Sequence, residues 1–306
     1  MASSSSSGGG RSTNADLRNS LLFDVSHVTA VVTGGATGIG LMITQALVAN
    51  GAKVYITGRR QEKLDQTVRL YGEGEGRLLA IAGDVSTKEG CVRLAEEIEK
   101  REPEGIQLLV NNAGIARDEK TSFAKNGEPD SSSAEAISKH FLNSTDDAWA
   151  STFQTNVTAQ YFTSMAFLPL LARGGTVTPG YSSSVVNVSS ISGAMKGSSM
   201  GQFSYASSKA ASTHLSRMLA TMFKDVKVRV NVIAPGVFPS EMTAGESDEQ
   251  NKSSLDMRSY NPAGRKGHDS DMAATILFLA GKGGVFYNEQ ILYPDGGNTL
   301  TVPAQK

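Results

Sequence analysis

Thr33-Gly34-Gly35-Ala36-Thr37-Gly38-Ile39-Gly40 separates a short apolar run, residues 27–32, from a helical pattern over residues 41–50. Glycine here lets the backbone approach a pyrophosphate closely and turn sharply into a helix. The N-terminal N–H groups and dipole of that helix favour an anion. A purely structural turn is the plainer alternative, but the strand before and the helix after favour a dinucleotide site.

Working outward, residues 53–57 form a second β-branched run, followed by a charged helical stretch at 61–71. Residues 78–82 make a third run, and 88–100 a third helix. Residues 107–110, 184–188 and 226–233 read as further strands, while 148–171 and 204–223 read as two long helices. Strands alternating with helices imply βαβ units and a parallel sheet covered on both sides. The expected class is α/β, a doubly wound Rossmann sheet with helices on both faces in a single domain. No solenoid-period repeat and no Pro/Gly linker divides it.

Composition narrows the function classes. The 306 residues are 39% hydrophobic and 19% charged, enough for a sizeable core. A net charge of -1 gives no basic footprint for nucleic acid or anionic lipid. No apolar run approaches membrane-spanning length. Cys91 is the only cysteine, which leaves no intrachain disulfide, and its helical context reads as a buried, inert thiol. His27, His140, His214 and His268 are scattered without the i, i+4 spacing of a zinc helix, so no metal is expected. Residues 1–20, rich in Ser and Gly, are expected to be a disordered tail ahead of a domain over 21–306. They lack the apolar centre of a secretory signal, and Asp16 with few arginines argues against a transit peptide. A cytoplasmic protein is expected.

Two polar stretches interrupt the rhythm, an insertion at 117–147 and a segment at 243–266. Both follow strand ends, where open parallel sheets bind ligands, so they read as loops that close over a substrate or as surface decoration.

An acidic residue at the end of the second strand would take the ribose hydroxyls of NAD, whereas arginine suits the 2′-phosphate of NADP. The second strand ends Ile56-Thr57-Gly58-Arg59-Arg60, with no carboxylate and two guanidiniums. A guanidinium binds phosphate through paired charge-assisted bonds. NADP(H) is therefore expected, held by Arg59 first and Arg60 second; a solvated helix start is the alternative.

Tyr205 and Lys209 lie four apart in a helical stretch and share one face. A phenol is a poor proton carrier at neutral pH, and a nearby ammonium is expected to lower its pKa. Ser190, in Val188-Ser189-Ser190, is placed to hold a carbonyl oxygen against the phenol. Adjacent strand residues point oppositely, so Ser189 and Ser190 compete for this role.

The order Thr33-Gly34…Gly38-Ile39-Gly40, Asp84-Val85, Asn111-Asn112-Ala113-Gly114, Asn156, Ser190, Tyr205…Lys209 and Pro235-Gly236 resembles that of short-chain dehydrogenases/reductases. The ending Tyr293-Pro294-Asp295-Gly296-Gly297 is similar too. The segment 261–265 and the helical stretch 271–281 resemble the branch of 3-oxoacyl-carrier-protein reductases and of fungal and rhamnolipid-type carbonyl reductases. The resemblance implies a catalytic set of Asn156, Ser190, Tyr205 and Lys209, with Ser190 rather than Ser189. It implies that Lys209 grips the nicotinamide ribose and that Asn156 holds a water linking Lys209 to solvent. Cofactor contacts are implied for Gly34, Thr37, Gly38, Ile39, Gly40, Asp84, Val85, Asn111, Ala113, Gly114, Tyr205, Lys209, Pro235, Gly236, Val237 and Thr243, besides Arg59 and Arg60.

The implied activity is NADPH-dependent reduction of a small-molecule ketone to a secondary alcohol, with a β-ketoacyl or secondary-metabolite carbonyl as substrate. The alternatives are an NAD(P)+-dependent alcohol dehydrogenase or imine reductase on the same scaffold and, more remotely, a non-catalytic cofactor-binding protein. A homo-oligomer, tetramer or dimer, is implied through the two long helices. Met195, Met200, Phe203 and Phe238 are expected to form an apolar, adaptable pocket, with ordinary packing as the alternative.

Overall fold

A computed structural model describes residues 13–256 and 261–302. Residues 1–12, most of the expected tail, lie outside the described residues. From Thr13 the chain turns on itself, with Thr13 N and Oγ1 donating to the Asp16 carboxylate. A short helix α1 (Asn19–Leu22) begins inside the stretch expected as tail.

The chain then alternates β1 (Thr29–Thr33), α2 (Gly38–Ala49), β2 (Lys53–Gly58), α3 (Gln61–Tyr71), β3 (Arg77–Ala82), α4 (Lys88–Arg101) and β4 (Leu108–Asn111). The insertion carries α5 (Phe123–Asn126) and α6 (Ala134–Phe141). There follow α7 (Asp146–Phe153), a π-helical turn (Gln154–Thr158), α8 (Ala159–Val177), β5 (Ser184–Val188), α9 (Phe203–Phe223) and β6 (Arg229–Ile233). The chain closes with α10 (Glu241–Ala244), α11 (Asp269–Ala280), β7 (Ile291–Leu292) and α12 (Asn298–Thr301).

The sheet runs β3-β2-β1-β4-β5-β6-β7, with every pairing parallel. This is the expected Rossmann topology, and its strand order reverses between β1 and β4. Side chains alternate between two cores, as a pleated strand requires. Val32, Ile56, Val110 and Val186 face α2, α3 and α11 through Ile43, Leu47, Leu64 and Ile276. Val31, Tyr55, Leu109 and Val185 face α4, α8 and α9 through Ile98, Phe167, Leu171 and Phe223. A fully buried side chain such as Phe167 contributes about 1.5–3 kcal/mol by leaving water.

The structure corrects two of the expected elements and adds a third. The helix expected over 148–171 is two helices joined at the π-helical turn, and it runs on to Val177. The insertion is not an open loop: α6 is capped by Ser133 Oγ, which accepts from Ala136 N. The two-residue edge strand β7 is too short to register as a periodic run.

Candidate active site

Six of the sequence motifs sit just beyond the carboxyl end of a strand: Gly34 after β1, Arg59 after β2, Asp84 after β3, Asn112 after β4, Ser190 after β5 and Pro235 after β6. Parallel strands therefore bring distant motifs to one rim, on both sides of the switch point.

The glycine loop is built for close approach. Gly34 and Gly38 hold φ of 64° and 54°, a region that other residues rarely enter. A Cβ on Gly40 would stand 2.1 Å from Gly34 O, which ties this glycine to the tight turn. Thr37 begins α2 without capping it through its side chain, so the first-turn N–H groups are not taken by a local cap. This is the donor set an anionic pyrophosphate requires.

Asn112, which sequence reasoning treated only as part of a motif, latches this loop. Its Nδ2 donates to Thr33 O and Gly34 O, both at 3.0 Å. The N–H groups of Asn112 and Ala113 donate to Thr33 Oγ1 at 3.0 and 3.1 Å. Asn111 instead points inward, donating to Ser164 Oγ and Asn187 Oδ1, which leaves only its backbone for the rim. No spacing rule separates two consecutive asparagines; the strand pleat does.

At the second and third strand ends, Asp84 accepts from Ser86 N, and this bond together with the positive Arg59 nearby keeps its carboxyl below the usual range despite partial burial. Arg60 is engaged elsewhere, paired through both guanidinium nitrogens with Glu241 of α10 at 3.1 and 2.7 Å. The stretch of chain that follows α10 is fastened along α3, where Tyr71 donates to Gln250 O and buried Asn251 donates to Lys63 O and Thr67 Oγ1. Thus residues 247–251 of the 243–266 segment lie along α3, while Ala263 and Arg265 are held to Gly296 and Asp271. The Thr243 hydroxyl is committed to the α10 capping box, accepting from Ser240 N and donating to Phe238 O.

Ser190, Tyr205 and Lys209 converge. The Ser190 hydroxyl lies close enough to the Tyr205 phenol to pull its pKa down, and its Oγ accepts from Ser192 N at 3.1 Å. Lys209 is buried, donates to Val188 O at 2.9 Å, and its Nζ lies 5.7 Å from the Tyr205 ring centroid. Ser189 turns the other way, donating to Lys209 O at 2.8 Å and meeting Thr213 Oγ1, so it is occupied by α9. Asn156, fully buried in the π-helical turn, accepts from Ile115 N and donates to Ile115 O and Ser208 Oγ. Both its side-chain donors are committed, so a water would meet it at its remaining Oδ1 lone pair or at its main chain. Gly114 lets these groups converge: a Cβ there would stand 3.2 Å from Asn156 Oδ1 and 3.4 Å from Lys209 Nζ.

The electrostatics differ from expectation in one respect. Burial pushes the Tyr205 phenol above its ordinary value, while the neighbouring Ser190 hydroxyl pulls less strongly the other way. Burial also lowers the Lys209 ammonium to about 8. Lys209 directs its ammonium at the Val188 carbonyl, and burial sets the direction of the phenol's shift, so the lowering expected from the ammonium is not seen.

A family model described as short chain dehydrogenase matches residues 28–251. The chain belongs to the short-chain dehydrogenase/reductase family. It is 39% identical over 285 residues to short-chain dehydrogenase/reductase PhomF of Diaporthe leptostromiformis, covering 92% of this chain and 95% of that one. The rhamnolipids biosynthesis 3-oxoacyl-[acyl-carrier-protein] reductase of Pseudomonas aeruginosa is 34% identical, with 90% and 97% covered. Among solved structures, the Pseudomonas aeruginosa RhlG/NADP active-site complex superposes with a TM-score of 0.73 at 31% identity, covering 90% and 98% of the two chains.

In this short-chain dehydrogenase/reductase, the residues expected to form an apolar pocket do not share one environment. Phe238 is buried in the core beneath Gly267, where even a Cβ would stand 2.3 Å from its ring, so it serves mainly as packing. Met200 and Phe203, in contrast, are exposed beside the Tyr205 helix. Cys91 is buried between Val85 O and Thr163 Oγ1, and burial raises its thiol, as an inert cysteine requires. Among the described residues, no cluster of three or more His, Cys, Asp or Glu is placed to hold a metal, and no helix is long and apolar enough to cross a membrane.

Proposed function

We propose that this oxidoreductase reduces a ketone to a secondary alcohol at the expense of NADPH, with Tyr205 as the proton donor. The observation that carries this reading is the convergence of Ser190 and the Tyr205 phenol with the buried Lys209 ammonium beside them. When bound, the nicotinamide supplies the hydride received by the carbonyl carbon. Ser190 donates a hydrogen bond to the carbonyl oxygen and holds it against the phenol. Tyr205 passes its proton to that oxygen as negative charge builds there, and Lys209 stabilises the phenolate left behind. A phenol held above its ordinary value is fully protonated at neutral pH, the state a donor must start from. Asn156 fixes Ile115 and Ser208 around Lys209.

For the cofactor, Gly34, Thr37, Gly38 and Gly40 would cradle the pyrophosphate, and Ile39 would lie under the nicotinamide. Asp84 and Val85 take the adenine, and Asn111, Ala113 and Gly114 line the ribose through their backbones. Tyr205 and Lys209 hold the nicotinamide ribose, and Pro235, Gly236 and Val237 the carboxamide, with Thr243 reaching it when its capping box opens. Arg59 takes the 2′-phosphate: it is exposed, lies near Asp84, and no carboxylate replaces it at the β2 tip. Arg60 joins it only by leaving Glu241. The NADP complex of the similar RhlG supports the choice of cofactor.

A β-ketoacyl or secondary-metabolite carbonyl is the proposed substrate class, supported by likeness to the 3-oxoacyl-[acyl-carrier-protein] reductase. The location is proposed to be cytoplasmic, and the assembly a homo-oligomer. Tyr161 on α8 and Met218 and Met222 on α9 are exposed apolar residues that a helix-to-helix contact would cover. Loss of NADPH absorbance with aryl ketones, β-ketoesters and acyl thioesters tests the activity. Turnover with at least one class supports it, and inactivity with all three argues against it.

A further inference from the structure

We propose that Asp118, at the head of the insertion, is a positioning residue that fixes the first turn of α9 and thereby aims the Tyr205 phenol; this rests on Tyr205 being the proton donor.

The helix that carries Tyr205 begins without a cap of its own. Gln202, at its N-terminal boundary, makes no side-chain hydrogen bond to it, although the first-turn amides need acceptors. Asp118 supplies them from far away in sequence. Its Oδ1 accepts from Ser204 N at 3.1 Å, and its Oδ2 accepts from Tyr205 N at 3.1 Å and Ser204 Oγ at 2.9 Å. The carboxylate is 4% exposed and has no salt-bridge cation among the described residues. A buried carboxylate persists only where donors replace its water. Here those donors come from the first turn of α9, whose dipole also favours the charge.

The approach to α9 needs the same support. Ser199, Met200 and Gly201 hold φ of 51°, 58° and 82° in succession, and non-glycine residues rarely hold such angles unaided. The insertion braces all of this. Phe123 N donates to Met200 O at 2.9 Å, and Thr121 Oγ1 donates to Gly201 O at 2.9 Å. Gly201 is required there, because a Cβ would stand 2.2 Å from Thr121 O. Phe203, the first residue of α9, meets Phe141 of α6 edge-on at 4.9 Å. Asp118 itself is held in a turn by the N–H groups of Thr121 and Ser122. The insertion is thus a clasp on the entrance to the Tyr205 helix, joined closest to the phenol by Asp118. Reaction rates are sensitive to displacements of about 1 Å at a reacting group, on the order of 10²-fold.

Asp118→Ala and the milder Asp118→Asn are the variants, the second because an amide keeps one acceptor and preserves the fold if the first does not. Turnover, KM for the ketone, NADPH affinity by fluorescence, the urea midpoint and hydrogen exchange of peptides over 203–209 are measured on both. The expected result is a fall in kcat of about 10–10²-fold for the alanine variant and less for asparagine, with NADPH affinity unchanged. Exchange over 203–209 should rise roughly tenfold, the size of one lost helix cap, while β1 and β4 stay protected. Unchanged kcat with only a lowered urea midpoint, or unchanged exchange over 203–209, would overturn the proposal. If the unaltered enzyme reduces no ketone, the reductase reading fails separately, and the exchange measurement alone decides whether Asp118 holds the helix.

Discussion

The Ser190 side chain, just past the end of β5, faces the Tyr205 phenol in the first turn of α9 closely enough to pull its pKa down against the effect of burial. Neither element could place this pair alone. The strand pleat turns Ser189 into α9 and leaves Ser190 facing the phenol, and the clasp of the insertion sets where the helix begins.

The activity should depend on pH in a way the buried charges dictate. Below about 8, Lys209 is charged and Tyr205 keeps its proton; above it, Lys209 loses its charge first. Ketone reduction is therefore expected to stay level through neutrality and fall as pH rises through about 8. Stability moves oppositely. The unfolded chain holds the lysine proton up to roughly 10.4, so between these values it binds more protons than the folded chain, and Lys209's contribution to stability rises with pH. A rate profile that rose through pH 8 would contradict the assignment.

Arg59→Ala should raise KM for NADPH about 10–100-fold and leave NADH little changed, since charge-assisted hydrogen bonds to phosphate contribute about 1.5–3 kcal/mol. Arg60→Ala should have the smaller effect, because that guanidinium is paired with Glu241. Steady-state kinetics with both cofactors distinguish the two arginines. An enzyme that used NADH at least as efficiently as NADPH would defeat the cofactor proposal.

Asn112→Ala removes both side-chain bonds to the glycine loop. A loss of about 1–3 kcal/mol in unfolding free energy is expected, from carbonyls left without their partner. Weaker NADPH binding should accompany it as the loop loosens. Urea unfolding and cofactor fluorescence measure both, and unchanged binding would mean the latch is not needed to shape the site.

Sedimentation should find an assembly larger than one chain, and Met218→Lys with Met222→Lys should dissociate it. A monomer before substitution would remove the helix-pairing proposal.

Much of the fold and of the site is legible in the amino-acid sequence. Strands buried on both faces leave apolar runs, and glycines forced by close approach leave a spaced pattern, so the sheet, the loop and the Tyr205/Lys209 face can be read directly. What escapes such reading is set by tertiary contact. β7 is only two residues long, and the break at Gln154–Thr158 leaves no mark in a continuous helical pattern. Asp118 sits in a polar stretch that resembles surface decoration, and only folding brings it to α9. The direction of the phenol's shift is set by its burial, opposed only by the nearby Ser190, and residue spacing does not contain that burial.

The most direct measurement compares Tyr205→Phe with the unaltered enzyme, following ketone-dependent loss of NADPH absorbance together with NADPH affinity. With the hydroxyl gone, turnover is predicted to fall by about 10²–10⁴-fold, the usual contribution of a general acid, while the cofactor still binds. Turnover that survives the substitution would contradict the claim that the phenol delivers the proton.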